Sequence, residues 1–327
     1  MRDKQGIAMT SHREPSFVQL YAEDSQAQRD EIIAGLRRQP AHLSPKHFYD
    51  RLGSLLFTAI TELPEYYPTR TEASVFAAHA QAMARRIGPG STLIDLGAGD
   101  CAKAMRLMPV LRPARYVAVD ISVEFLREAL RTAQRKYPSL ELMGVGADFS
   151  ASLELPPATM TGRPVFFYPG SSIGNFTPAD ALEFLRRVRS HASGGGLLIG
   201  VDLVKPTDVL EAAYDDALGV TAAFNLNALR HVNRIIGSDF EPASWKHVGL
   251  YDSAQSRIEM HVQAKEALTV RWPGGARGFR ATERIHTENS YKYTPEGFAA
   301  LLQRAGFRNQ QSWLDAQRWF AVFWAEG

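Results

Sequence analysis

The stretch Thr92-Leu-Ile-Asp-Leu-Gly-Ala-Gly-Asp-Cys-Ala-Lys103 constrains this chain more than any other. An apolar run of strand length breaks at Gly97-Ala98-Gly99, and a helix-favouring segment follows from Ala102 to Met108. Strand, glycine turn and helix in that order open a nucleotide-binding α/β unit. Glycines are wanted at the turn because a side chain would hold the backbone away from a ligand.

Which ligand the turn takes is open on these residues alone. Gly97, Gly99 and Ala102 satisfy the G-x-G-x-x-G/A pattern of dinucleotide enzymes, and Asp120 follows at about the twenty-residue spacing of a ribose partner. Asp95, two residues before Gly97, instead gives Asp-Leu-Gly-Ala-Gly, a pattern typical of S-adenosylmethionine (SAM) methyltransferases. SAM has no pyrophosphate for a helix N-terminus, but it carries an ammonium, a sulfonium and a carboxylate. An acid beside the turn suits its positive groups. A turn that merely lets strand and helix pack is the third reading.

The 327 residues are enough for about two domains, and 45% hydrophobic residues support a sizeable core. A net charge of +2 gives no electrostatic reason to expect nucleic acid or a membrane surface. The single cysteine, Cys101, excludes an intrachain disulfide and argues against a cysteine-based metal site; no metal is expected. The N-terminal residues Met1 to Ile7 lack an apolar signal core, and no apolar run reaches about eighteen residues. A soluble cytoplasmic protein is the expectation.

Residues 1 to 15 are polar and read as a loose segment. Ile32, Ile33 and Leu36 space an amphipathic helix over Ser25 to Arg38, and a second helix follows Pro45 as far as Ile60. In Leu63-Pro-Glu-Tyr-Tyr-Pro-Thr-Arg70 two prolines bracket two tyrosines. Pro68 disfavours helix at Tyr67, so a rigid turn presenting aromatic hydroxyls is expected, with helix resuming from Thr71 to Ile87. Beyond Lys103, strands at Tyr116 to Asp120, Glu141 to Val145, Pro164 to Tyr168 and Gly196 to Val201 alternate with helices near Val123 to Arg135 and Pro178 to His191. That rhythm predicts a mostly parallel sheet.

The strand ends carry the polar residues: Asp120, Asp148-Phe149, Gly170 to Asn175 and Asp202. Ligands of such sheets bind outside the carboxyl ends of the strands. There Asp120 suits ribose hydroxyls, while Asp148 suits an adenine amino group beside a stacking Phe149. Residues 205 to 290 break the rhythm, with helices from Lys205-Pro-Thr-Asp208 to Tyr214 and from Val220 to Ile236. Alternating segments follow at His247 to Tyr251, Arg257 to Val262 and Leu268 to Arg271. A helix, Pro295 to Ala305, and strands at Gln311 to Trp313 and Trp319 to Trp324 complete the first pattern. The expected fold is α/β, a class I SAM-methyltransferase (Rossmann-like) doubly wound sheet with a second, discontinuous α+β substrate-binding domain. The boundaries are 71–204 and 294–327 for the SAM-binding domain, and 12–70 and 205–293 for the substrate domain.

Seven groups of residues resemble, in the same order, the ergothioneine-pathway histidine Nα-methyltransferases, the EgtD family. They are Phe48-Tyr-Asp50 with Gly53-Ser54 and Leu56-Phe57; Leu63-Pro-Glu-Tyr-Tyr-Pro-Thr-Arg-Thr-Glu72; Gly170-Ser-Ser-Ile-Gly-Asn175; Asp202-Leu-Val-Lys205; Ala213-Tyr-Asp-Asp216 with Gly219-Val-Thr221 and Phe224-Asn225; Arg257-Ile-Glu-Met260; and Thr287-Glu-Asn-Ser290. The resemblance runs from about Ser44 to the C-terminal strands.

The resemblance implies SAM contacts at Gly97, Lys103, Asp120, Asp148 and Phe149. It implies substrate contacts at Tyr49, Phe57, Tyr66, Gly170, Asn175, Tyr214, Met260, Glu288 and Ser290. Asn175 and Tyr214 are expected to hold a substrate carboxylate, Tyr49 and the Gly170 region to border the reacting amine, and Glu288 with Ser290 to bind an imidazole. Tyr49, Gly170 and Asn175 are the expected catalytic positions. Glu288 and Ser290 stand at i and i+2, on one face if extended, while Asn289 should point away. Cys101 replaces the usual third glycine of the turn. The implied reaction is displacement at the SAM methyl group by the neutral α-amine of L-histidine, repeated to the trimethyl betaine hercynine. A related enzyme for another amino acid and a non-catalytic SAM-binding regulator are the alternatives. The implied partner is a small molecule, and a monomer is expected.

Overall fold

The computed structural model describes residues 13–20, 25–121, 123–150 and 152–327. The loose segment expected over residues 1 to 15 lies, as far as residue 12, outside the described residues. A large sheet holds eight strands in the order Ser16–Gln19, Glu141–Gly146, Arg115–Asp120, Thr92–Leu96, Pro164–Tyr168, Gly196–Asp202, Phe320–Glu326 and Arg308–Leu314. The first six run parallel, and Phe320–Glu326 is antiparallel to both its neighbours.

Side chains alternate across the sheet and fill a core on each face. Ile94, Val117, Phe166 and Ile199 pack with Phe184, Leu185 and Phe298 on one side. Leu93, Tyr116, Phe167 and Leu198 pack with Val75, Leu107 and Leu126 on the other. The strand order reverses between Thr92–Leu96 and Pro164–Tyr168, where chain connections depart in opposite directions. That switch point opens a crevice beyond the carboxyl ends of the two strands, where ligands of such sheets sit. Gly97 to Gly99 leave one strand into it, and Pro169-Gly170 leave the other.

A second sheet, in the order Ala41–His42, Arg284–Tyr291, Arg257–Ala264 and Trp245–Asp252, packs against the helices Ser25–Arg37 and Val220–Ile236. The two crossings between the sheets run side by side. Val204 N–H donates to the Tyr293 carbonyl at 3.0 Å and Tyr293 N–H to that of Asp202 at 3.1 Å. We propose a domain division at these crossings, 71–204 with 294–327 against the remainder up to 70 with 205–293. Ser16–Gln19, however, hydrogen-bonds to Met143–Gly146 and so sits in the large sheet, not with the substrate unit.

Three local expectations need correction. The helix expected from Pro45 to Ile60 is split into a 3₁₀ turn, Pro45–Phe48, and a helix, Arg51–Thr61. Asp50 stops one and caps the other, accepting the Gly53 N–H at 2.7 Å. The chain doubles back so tightly that a Cβ on Gly53 would lie 1.6 Å from the Phe48 carbonyl oxygen. Tyr67 begins the helix Tyr67–Ile87 rather than a turn, because Pro68 falls in the first helical turn, where its missing N–H has no intrahelical partner to lose. The strands Ser16–Gln19, Ala41–His42, Gly275–Phe279 and Arg284–Tyr291 were not expected; the first three are short, and the last is rich in polar residues.

Asp50 also accepts hydrogen bonds from Asn227, at 2.7 Å, and from Arg234, and thereby fastens the Tyr49 segment to the helix Val220–Ile236. Replacing Asp50 by Ala removes a cap and strands these donors, and should lower the free energy of unfolding by about 1 to 3 kcal/mol. Urea denaturation would show the midpoint falling with an unchanged slope; an unmoved midpoint would refute the role given to Asp50.

Candidate active site

The pocket is built where the two sheets face each other. Gly174 lets the short turn Ser172–Asn175 press against the strand Arg284–Tyr291, since a Cβ there would lie 2.9 Å from the Tyr291 carbonyl oxygen. A register shift between His286 and Glu288 then sets which way that strand's side chains point. His286 and Asn289, three residues apart, share one face and hydrogen-bond at 2.9 Å. Glu288 and Ser290 share the other, with Met260 directly across from Glu288 on the neighbouring strand.

The result is a pocket with a cavity volume of about 60 Å³ whose wall includes all nine expected substrate residues: Tyr49, Phe57, Tyr66, Gly170, Asn175, Tyr214, Met260, Glu288 and Ser290. Phe224, Thr221, Ser171, Ser172 and Asp202 line it as well. Its aromatic side is continuous. Tyr49 lies 5.8 Å from Phe57 and from Phe224, and Tyr66 lies 6.2 Å from Phe57 and 6.3 Å from Tyr214, centroid to centroid. Tyr49 is 39% exposed and forms the open lip.

Glu288 is buried, and burial pushes its carboxyl up to about 8, against the pull of the Lys292 ammonium. As an acid it can donate one hydrogen bond, and as a carboxylate it only accepts. Tyr214 Oη lies 2.7 Å from Ser290 Oγ, and Lys292 Nζ reaches both, at 3.1 and 2.7 Å. Behind them Asp202 is held between Lys292, at 2.8 Å, and Lys205, at 2.5 Å, and accepts the Tyr67 hydroxyl at 2.7 Å. Burial opposes the charge on Asp202, but the two ammoniums outweigh it and keep the carboxyl below its ordinary range. Lys292 escaped sequence reasoning because it stands two residues past the last recognisable group, although its spacing from Glu288 and Ser290 was available to be read.

On the other side of the switch point, Gly97 and Gly99 adopt φ of +72° and +54°. Gly99 N–H donates to the Asp120 carboxylate at 2.9 Å, and among the described residues no atom beyond its own chain neighbours lies within 4 Å of where its Cβ would be. The Phe149 ring lies 3.6 Å from the equivalent point on Gly97. Asp148 accepts from the backbone and hydroxyl of Ser150, at 3.1 and 2.5 Å. Lys103 pairs with Glu72 at 2.6 Å, and Glu72 accepts the Gly170 N–H at 2.7 Å. Glu72 is therefore a link between the two sides that sequence reasoning missed, although it stands in one of the matching groups.

Asp95 does not face the crevice. It is buried beneath the turn, accepts the Tyr116 hydroxyl at 2.7 Å, and is pushed up to about 7 by burial. Its sequence position beside the glycines suggested contact with positive cofactor groups, but a strand residue preceding the turn points into the sheet's flank. Cys101 occupies a left-handed conformation, φ 60°, as the glycine it replaces would, and burial pushes its thiol up to about 12.

A backbone left bare at Gly99, an acid at the end of the strand Arg115–Asp120 and an aromatic ring over the turn form a cradle that fits an adenosine group. With the strand order and the facing polar pocket, they define a class I SAM-dependent methyltransferase. The chain belongs to the family described as histidine-specific, SAM-dependent methyltransferases, whose model matches residues 28–327. It is 40% identical over 309 residues to the histidine N-alpha-methyltransferase of Mycolicibacterium smegmatis, covering 92% of this chain and 95% of that one. It is 39% identical over 299 residues to the protein of the same name from Mycobacterium tuberculosis, covering 88% and 91%. Ergothioneine biosynthesis protein 1 of Neurospora crassa matches at 31% identity over 84% of this chain and 32% of its own length.

Burial of Glu288 has a measurable consequence. Because its folded pKa is raised from 4.5 to about 8, the folded protein keeps a proton that the unfolded chain releases. The associated stability is complete below the unfolded value and is lost as pH rises through the folded one. Without ligand, the melting temperature of the wild type should therefore fall relative to Glu288→Gln between pH 4.5 and about 8. Parallel curves for the two proteins would contradict this account of Glu288.

Proposed function

We propose that this protein transfers methyl groups from SAM to the α-amine of L-histidine, in three rounds, to give hercynine for ergothioneine biosynthesis. The observation that carries the reading is the meeting of all nine expected substrate residues, eight side chains and the Gly170 backbone, on one pocket. Gly97, Lys103, Asp120, Asp148 and Phe149 are the residues that would hold SAM, which supplies a methyl group on a sulfonium.

The chain's own contribution is to bind, orient and desolvate the amine. Asn175 and Tyr214 hold the substrate carboxylate, on a wall made electropositive by two buried ammoniums sharing the single carboxylate of Asp202. Glu288 and Ser290 take the imidazole. These two anchors leave the α-amine between Tyr49 and the Gly170 loop, the side nearest the glycine turn. Orientation of this kind is the main source of acceleration for a direct displacement. Displacement requires the neutral amine, because only that form has a lone pair to give. As methyl groups replace N–H bonds, aromatic faces keep an attraction for the growing quaternary cation that a hydrogen-bond acceptor would lose.

The same reading takes the protein as a cytoplasmic monomer acting on a small molecule rather than on nucleic acid or a membrane. Among the described residues no helix is long and apolar enough to cross a membrane. Incubation with SAM and a pool of amino acids, followed by mass spectrometry, should yield histidine carrying one, two and three methyl groups. Methylation of a different amino acid would replace the substrate assignment, and no methylation at all would leave a SAM-binding regulator.

Selectivity tests the side-chain anchors apart from the common amino acid clamp. An apolar side chain leaves buried polar groups unpaired, and removing those groups removes the penalty. The double change Glu288→Ala, Ser290→Ala should reduce kcat/KM for histidine by roughly tenfold or more and narrow its advantage over tryptophan. An unchanged histidine-to-tryptophan ratio, with SAM affinity intact, would show that Glu288 and Ser290 do not read the side chain.

A further inference from the structure

On the reading that Tyr214 holds the substrate carboxylate and Ser290 meets its ring, the wall formed by Tyr214, Ser290 and Lys292 admits one consistent set of hydrogens. Lys292 is buried, with Nζ 2.8 Å from Asp202 Oδ2, 2.7 Å from Ser290 Oγ and 3.1 Å from Tyr214 Oη. An ammonium has three hydrogens and no lone pair, so it donates in all three contacts. The two hydroxyl oxygens also lie 2.7 Å apart, which places one of their own hydrogens between them. A single hydroxyl hydrogen remains to face the pocket. If Tyr214 donated to Ser290, a substrate carboxylate would meet a lone pair on the phenol oxygen. Ser290 must therefore donate to Tyr214, Tyr214 donates to the carboxylate, and Ser290 turns only a lone pair toward the side chain.

We propose that Lys292 is a positioning residue that holds the Tyr214 and Ser290 oxygens together, so that a carboxylate on Tyr214 fixes the direction of their hydrogen bond and the pocket selects a substrate side chain bringing a ring N–H to Ser290. Lys292 pins both oxygens side by side, and a Ser290 hydroxyl turned outward would leave two lone pairs facing each other at 2.7 Å. Imidazole supplies the N–H and leaves its second nitrogen to Glu288. A ring with the same shape but no N–H presents lone pair to lone pair at Ser290 and is refused.

The test compares kcat/KM for L-histidine and for 3-(4-thiazolyl)-L-alanine, which keeps the carboxylate, the amine and the ring shape but has no ring N–H. The wild type should prefer histidine by roughly tenfold or more. In Lys292→Met the serine hydroxyl is free to rotate and donate outward, while Asp202 keeps Lys205 and Tyr67 as partners. The preference should then shrink by about tenfold. A merely structural role would lower both values together and leave their ratio unmoved. SAM affinity, measured by calorimetry, reports whether the variant is folded. If Lys292→Met does not bind SAM, Tyr214→Phe takes its place, since loss of the phenol oxygen also frees the serine hydrogen and the shared carboxylate cancels in the ratio. An unchanged ratio in the SAM-binding variant overturns the proposal, as does a wild type that uses the thiazole as readily as histidine. A wild type that leaves histidine unmethylated overturns the histidine reading itself.

Discussion

Asp202 is the carboxylate on which the arrangement of the pocket depends. It ends a central strand of the large sheet, yet its partners come from three other places: Lys292 from the end of the second sheet's strand, Lys205 from the crossing between the sheets, and Tyr67 from the first turn of the long helix. All of them are buried. A buried ion pair of this kind adds little net stability, because desolvation offsets most of the attraction, but losing Asp202 itself would leave two buried ammoniums uncompensated, at a cost of about 3 to 5 kcal/mol. Its effect is to make one relative placement of the two sheets far better than its neighbours. The substrate groups Tyr214 and Ser290 inherit that placement through Lys292.

A second connection runs through Glu72, on the opposite side of the pocket. One of its oxygens takes the Lys103 ammonium and the other the Gly170 N–H. Lys103 stands in the first turn of the helix after the glycine turn, and Gly170 begins the loop that carries Asn175. A single buried carboxylate thus ties the proposed cofactor side to the proposed substrate side. The Gly170 backbone adopts φ +79°, a conformation that favours glycine, and its missing Cβ leaves room for the Lys103 ammonium, which would otherwise lie 3.0 Å from it. Distances between the two halves of a methyl transfer are set by contacts of this sort rather than by the pocket lining alone.

Much of this was legible in the sequence where a local rule and the tertiary structure agree. The five strands from Thr92 to Asp202 are apolar because they are covered on both faces, and their periodicity with the intervening helices fixed the sheet type and put the ligand at its carboxyl edge. The strand Arg284–Tyr291 escaped the same reading. Its Glu288 and Ser290 are buried for a pocket rather than for a core, so polarity concealed a strand that burial would otherwise have announced. Pro68 misled for a related reason. The restriction it places on Tyr67 is real but weaker than the gain from burying Tyr67 against Asp202 and Lys205. Asp95 shows the limit of reading a motif by adjacency, since its direction depends on the pleat and not on its distance from the glycines. The nine pocket residues were found through family resemblance, because they come from helices, loops and strands with no common spacing.

The polar groups of the pocket also restrict what can fill it. Among the described residues no hydrogen-bond donor reaches the Glu288 carboxyl, and burial has raised its pKa for want of one. Ser290 and Tyr214 are satisfied on the protein side by Lys292 and by each other, leaving one donor and one acceptor to spare. An apolar ligand would leave these groups dry and unpaired, at about 1 to 3 kcal/mol each. A ligand that is anionic at one end and hydrogen-bonding at the other satisfies them together, with its middle against the aromatic lip. An α-amino acid with a polar heterocycle has that distribution, and on the proposed reading its amine then falls between Tyr49 and Gly170, whose loop is tied through Glu72 to Lys103 beyond the glycine turn. The position of the reacting atom is therefore a consequence of where the other two ends must go.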